Sequence, residues 1–173
     1  MPKVERKREA HSMFQIQFGN KGISLIDLLV VIAIVALVFS IILDAISLSL
    51  STSNLIKQMI QANNIAIETI EAVRNFRDGT IWNVNGLGTL ATDTYCYPQA
   101  TSSKWQMVQG VDNINGFKRK VIFKDVMRDS NNNIVESGGN YDPDTKKVIV
   151  NVSWQERGRT HQVEITTYLT NWR

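Results

Sequence analysis

One carboxylate in this chain stands where carboxylates are expensive. Residues 23–43 read ISLIDLLVVIAIVALVFSIIL, an apolar run carrying a single charge, Asp27. A charged side chain at the centre of a membrane helix costs about 2.5–3.5 kcal/mol, and less near an interface. Asp27 lies four residues into the run, a helical rise of roughly 6 Å, which places it just inside one face of a bilayer. Protonation or solvation by headgroups would make it tolerable there. A cation would give it a use, and because the run holds no Lys or Arg, that cation has to come from the end of the run or from another chain.

The other candidates for chemistry are weaker. Asp129-x-Asn131-x-Asn133 spaces its oxygens like the opening of a calcium loop, but the sixth position is Ile134 instead of Gly and the twelfth is Asn140 instead of Glu. We read the stretch as an ordinary turn. The alternative is a calcium site in which Asp129, Asn131 and Asn133 meet Asp142 and Asp144 of a second acidic turn, Asp142-Pro143-Asp144. Cys96 is the single cysteine, so neither an intrachain disulfide nor a cysteine-based zinc site can form. Flanked by Tyr95, Tyr97 and Pro98, it reads as a half-buried structural thiol. His11 falls in the basic leader, and His161 is a lone histidine on a strand, read as a polar surface residue. Asn151-Val152-Ser153 matches the glycosylation pattern but sits mid-strand, where that modification is not expected. The sequence offers no Gly-rich phosphate loop, nucleophile–base set or metal-ligand spacing. The chain is therefore read as a non-enzyme without a cofactor.

Stepping outward from Asp27, the apolar run is long enough for one bilayer core. Its flank, residues 1–22, holds five basic residues (Lys3, Arg6, Lys7, Arg8, Lys21) against two acidic ones. The positive-inside rule then puts the N-terminus in the cytoplasm and the C-terminal domain across the membrane. The formal net charge of +3 is accounted for by that flank, so the sequence pI near 9.1 does not point to a nucleic-acid partner. From residue 44 to 78 the chain continues as an amphipathic helix, with Leu48, Leu55, Met59, Ala62, Ala66, Ile70 and Val73 recurring at mostly three- and four-residue intervals. No Pro or Gly occurs between Ile23 and Asp78, so one helix of roughly 80 Å is expected. The Ser/Thr/Asn cluster at 47–54 is its weak point. Gly79 should stop it, with Arg74 and Arg77 facing the negative helix end.

Residues 79–116 show no strong period and read as a variable loop region, with a short strand near Trp105 to Gln109. Residues 117–173 switch to a period of two. Phe117, Val121 and Phe123 share one face of a first strand. Val148, Val150, Val152 and Trp154 point inward on a second, with Ile149, Asn151 and Ser153 outward. Val163, Ile165, Thr167 and Leu169 share a face on a third. The segments DSNNN and QERGR supply turns. The fold class expected is α+β: a long N-terminal helix, membrane-spanning in its first half, packed on a C-terminal antiparallel sheet.

The junction KG/ISLIDLLVVIAI resembles the class III signal sequence of type IV prepilins and pseudopilins, and the closing hairpin resembles theirs more loosely. In that family a basic leader ends in Gly, a prepilin peptidase cleaves after it and methylates the new amine, and the acidic fifth residue pairs with that amine on a neighbouring subunit. The resemblance implies that Lys21 belongs to the recognised leader and that cleavage follows Gly22. It further implies that Ile23 is methylated and that Asp27 serves subunit assembly. It also implies the pilin-like fold and an inner-membrane store of subunits. The implied partners are other pilin or pseudopilin subunits, the peptidase–methylase, an assembly platform and the lipid bilayer. Ile23, Ser24 and Asp27 replace the commoner Phe, Thr and Glu, and Asp44 stands where major pilins usually carry a kinking Pro. These departures point to a minor pilin or minor pseudopilin of a pilus, competence or type II secretion machine. Some secretion-system major pseudopilins bind calcium, which is why the acidic turns are kept in view. The rival reading is a single-pass signal-anchored protein whose external β-rich domain binds a partner.

Overall fold

The computed structural model describes residues 24–102 and 104–172; the expectations for Lys21, Gly22 and Ile23 fall outside them. The chain divides into two compact units, Met1–Ser47 and Leu48–Arg173.

In the first unit the described residues are Ser24 and the opening of helix α1 (Leu25–Asp78). Every one of them is exposed. Ser24 starts the helix. Its carbonyl accepts the N–H of Leu28 at 3.1 Å and its hydroxyl accepts that of Ile26 at 3.4 Å. Leu25, Ile26, Leu29, Leu37 and Phe39 are all more than half exposed. The helix is long and apolar enough to cross a membrane, consistent with a single-pass anchor.

In the second unit α1 continues without interruption. The Ser/Thr/Asn cluster does not melt it, because Thr52 Oγ1 turns back onto the Leu48 carbonyl at 3.0 Å instead of competing from outside the helix. Ala62, Ala66, Thr69, Ile70, Ala72, Val73 and Phe76 are its buried residues, and Ala62 and Ala66 belong to the core it shares with the sheet. The expected stripe is corrected at two positions. Leu48 is 70% exposed and Met59 46%. Between Leu55 and Ala62 the inward place goes to Gln58, whose side-chain oxygen accepts the indole N–H of Trp154 at 2.8 Å. The helix end also differs. Arg77 pairs with Asp78 at 2.8 Å and Arg74 with Glu71, while Thr80 Oγ1 donates to the Phe76 carbonyl at 2.7 Å.

The segment read as a loop is more ordered than expected. It holds a short helix α2 (Trp82–Asn85), a 3-10 turn (Leu87–Thr89) and strands β1 (Tyr95–Ala100), β2 (Trp105–Gln109) and β3 (Asp112–Ile114). Trp82, Leu87 and Cys96 join the core. The three long strands follow: β4 (Phe117–Arg128), β6 (Asn140–Glu156) and β7 (Arg159–Thr170), with the two-residue β5 (Ile134–Val135) pairing the end of β4. The sheet is antiparallel, in the order β2-β1-β4-β6-β7. Val121, Phe123, Val148, Val150 and Val152 are fully buried against the helix, with Trp154 at 5% exposure, so the alternation places the inward faces as expected.

Asn151 is a correction. It alternates outward, yet it is buried, because Gln162 and Glu164 on β7 accept from its amide and cover it. Asp142-Pro143-Asp144 is a second correction. The β4–β6 register runs from Lys118↔Ser153 to Asp125↔Lys146, then jumps to Val126↔Asp142. These residues therefore form a bulge inside β6, where Pro143 has no ladder N–H to lose. Its carbonyl accepts the indole N–H of Trp82 at 3.0 Å, which ties the short helix to the sheet.

Candidate functional site

Asp27 is the third residue of α1. Ser24-Leu25-Ile26-Asp27 has the spacing of a helix-capping box. A carboxylate in a first turn is favoured by the positive helix end. Asp27 is exposed, and no described residue forms an ion pair with it. Its surroundings are Leu25, Ile26, Leu28 and Val31, all exposed. The site is thus a single carboxylate on an apolar cylinder, held at the helix start and available to a cation from outside the described chain.

The two acidic segments do come together, but around a guanidinium. Arg128, the last residue of β4, donates from Nε to Asp142 Oδ2 at 2.6 Å, from Nη1 to the Asn132 carbonyl at 2.9 Å and from Nη2 to Thr145 Oγ1 at 3.3 Å. Asp129 spends its carboxylate on its own turn. Oδ1 accepts the N–H groups of Asn131 and Asn133 at 2.9 and 2.8 Å, and Oδ2 accepts the Asn133 side-chain amide at 3.2 Å. Asn132 takes the left-handed backbone, φ 66°, as asparagine tolerates. Asp142 Oδ1 accepts the N–H of Asp144, whose own Oδ1 accepts from Asn171.

The electrostatics agree with that use of the carboxylates. The backbone N–H of Asn133, then its side-chain amide, hold the Asp129 carboxyl below its ordinary range. Burial pushes the Asp142 carboxyl up, but hydrogen bonds from Arg128, Thr145 and the Asp144 N–H, with the Arg128 charge, outweigh it and leave the group lowered. The five residues considered for calcium therefore serve a turn and a bulge that Arg128 fastens together. Among the described residues, no three His, Cys, Asp or Glu side chains are grouped so as to hold a metal ion.

Cys96 is buried and its Sγ lies 3.5 Å from the Val121 carbonyl. Burial raises its pKa to about 12, which keeps it a thiol and unreactive at neutral pH. His161 is half-buried and stacks on Trp154, with ring centroids 5.5 Å apart. It is part of the core's edge instead of a free surface residue. Sequence reading also missed the Trp154–Gln58 bond, which links residues 96 apart in the chain and leaves no local pattern. No family model, no curated protein and no solved structure matches this chain.

Proposed function

We propose that this protein is a minor pilin or minor pseudopilin: a filament subunit stored in the inner membrane through the first half of α1 and assembled through the same helix. The observation that carries the reading is the continuity of one helix. It opens two residues beyond the KG/IS junction with a carboxylate in its first turn. It runs apolar and exposed through the span, and then supplies the inner layer of an α+β domain. In this reading the leader is removed after Gly22, Ile23 carries the methylated amine, and Asp27 answers a neighbouring subunit's amine. The N-terminus faces the cytoplasm and the sheet domain lies outside.

The test is the mass of the membrane form. Cleaved, methylated chain begins at Ile23, and Gly22→Val should leave nearly all of the protein at full length. A Gly22→Val chain trimmed to Ile23 at the normal rate would remove the prepilin reading and leave a simple anchored domain.

A further inference from the structure

The bulge in β6 does more than interrupt a ladder. The Pro143 carbonyl accepts the indole N–H of Trp82 at 3.0 Å. One residue on, the Asp144 carbonyl accepts the backbone N–H of Asn171 at 2.7 Å, and Asp144 Oδ1 accepts the Asn171 side-chain amide at 2.9 Å. The bulge therefore pins two segments that lie far apart in the chain, the start of α2 and the residues after β7. Bulges are over-represented beside functional sites, where they re-aim side chains. The two pinned segments, with the end of α1, line an open cleft of about 190 Å³. The cleft lies wholly in the second unit and does not depend on how the first is used.

The lining combines flat apolar surface with a few polar groups. Trp172 is 63% exposed and Ile81 66%. The face of an indole carries partial negative charge, which C–H bonds can meet. Asn83 is exposed, and its side-chain amide has no partner among the described residues. Asn171 gives its amide N–H to Asp144, which leaves its side-chain oxygen as an acceptor. Arg77 is the one charged residue among the described lining residues. Its Nε donates to Asp78 at 2.8 Å, and its guanidinium carbon lies 6.0 Å from the centre of the Trp172 ring. The charge at the cleft is thus balanced, which favours a neutral ligand over a phosphate, a carboxylate or a cation.

The volume falls below the roughly 300–1,000 Å³ of sites that take drug-sized ligands, so the cleft suits a single ring. A pyranose offers C–H bonds on its flat sides and hydroxyls around its rim that both donate and accept. Those are the complements of an open indole face beside amide donors and acceptors. We propose that this cleft binds a neutral pyranose sugar, stacked on Trp172 and hydrogen-bonded by Asn83 and Asn171.

The test is titration of the full chain, in phosphatidylcholine nanodiscs, with the methyl glycosides of glucose, galactose, mannose and N-acetylglucosamine. Tryptophan emission and the hydrogen exchange of residues 80–84 and 170–172 are read. At least one glycoside should shift the emission with a dissociation constant on the order of 1 mM, the scale for one ring making few contacts, and should slow exchange in both segments. Trp172→Ala should abolish the response, whereas Trp172→Phe, which keeps an aromatic face, should retain binding. Asn83→Ala should weaken it about fivefold, the worth of roughly one hydrogen bond. Both side chains are exposed, so neither change disturbs the core. No response to any glycoside at about ten times that concentration overturns the sugar site. Cyclohexanol binding as tightly as the glycosides also overturns it, since the hydroxyls would then count for nothing. Binding of an oligoproline peptide in place of the sugars assigns the cleft to a proline-rich segment and overturns it as well.

Discussion

The two units of this chain carry similar residues to opposite ends. In the first, Leu, Ile, Val and Phe cover the helix on all sides and every described one is exposed; in the second, the same residue types supply a buried core between a helix and a sheet. Apolar content alone does not say which will happen. A helix apolar all round has no polar face to give to water and finds its partners in lipid or in other chains. A helix with one apolar stripe followed by strands of period two can satisfy itself. The first unit is incomplete until something covers it. The second closes a core of its own, although Ile56, Ile60 and Ile67 on α1 stay more than half exposed.

That contrast can be broken most sharply at Asp27. Asp27→Val removes the charge, so membrane insertion should become easier by up to about 3 kcal/mol at full depth. Incorporation into sheared filaments should nonetheless fall at least tenfold relative to the membrane pool, because a buried amine left without its counter-charge costs about 3–5 kcal/mol. Asp27→Glu should assemble at least as well as wild type. Equal incorporation of Asp27→Val and wild type would leave Asp27 without a part in assembly.

The core of the second unit is tested at Trp154, one of its two buried tryptophans. With Leu48–Arg173 expressed by itself, denaturant unfolding should be two-state, and Trp154→Ala should cost about 3–5 kcal/mol. A loss below roughly 1 kcal/mol would mean that the indole does not hold the helix to the sheet.

Arg128→Met probes the fastening of the turn to the bulge. It should cost about 2 kcal/mol by urea titration at pH 7, less than for a fully enclosed pair, since the arginine side chain is 26% exposed. The sign of the pH dependence follows from Asp142. Its folded pKa is depressed, so its contribution is complete above the unfolded value of 3.8 and fades as the pH falls from there through the folded value. The gap between wild type and Arg128→Met should therefore narrow on acidification below that value, and a gap that stays constant would show that Asp142 gains nothing from Arg128. The smallest effect is expected for Gln58→Leu, about 1–2 kcal/mol, from leaving the Trp154 indole N–H without an acceptor. No change at all would mean that water replaces the amide.

Much of this architecture was legible residue by residue. The apolar run, the absence of Pro and Gly from 23 to 78, and the alternation within Lys147–Trp154 and Thr160–Leu169 state a helix and its covering strands, because periods of 3.6 and 2 are local geometry. The candidate assembly site was legible in the same way, as one charge where none is expected. Residues 79–116 were legible only in part. Asn115-Gly116, with φ of 51° and 89°, is a two-residue hairpin signal joining β3 to β4 that went unread, whereas the short β1 and the buried Trp82 and Leu87 have no period to read.

What the sequence determined by itself was therefore the long helix, the three long strands and the inward faces of those strands. Only the tertiary structure decided that Gln58 takes the place Met59 was expected to fill, that Asn151 is covered by β7, and that Arg128 stands between two acidic segments. Each of those depends on partners from four to 96 residues away in the chain. A polar side chain's partner is set by where the strands and the bulge bring it. A hydrophobic period says only which side faces in.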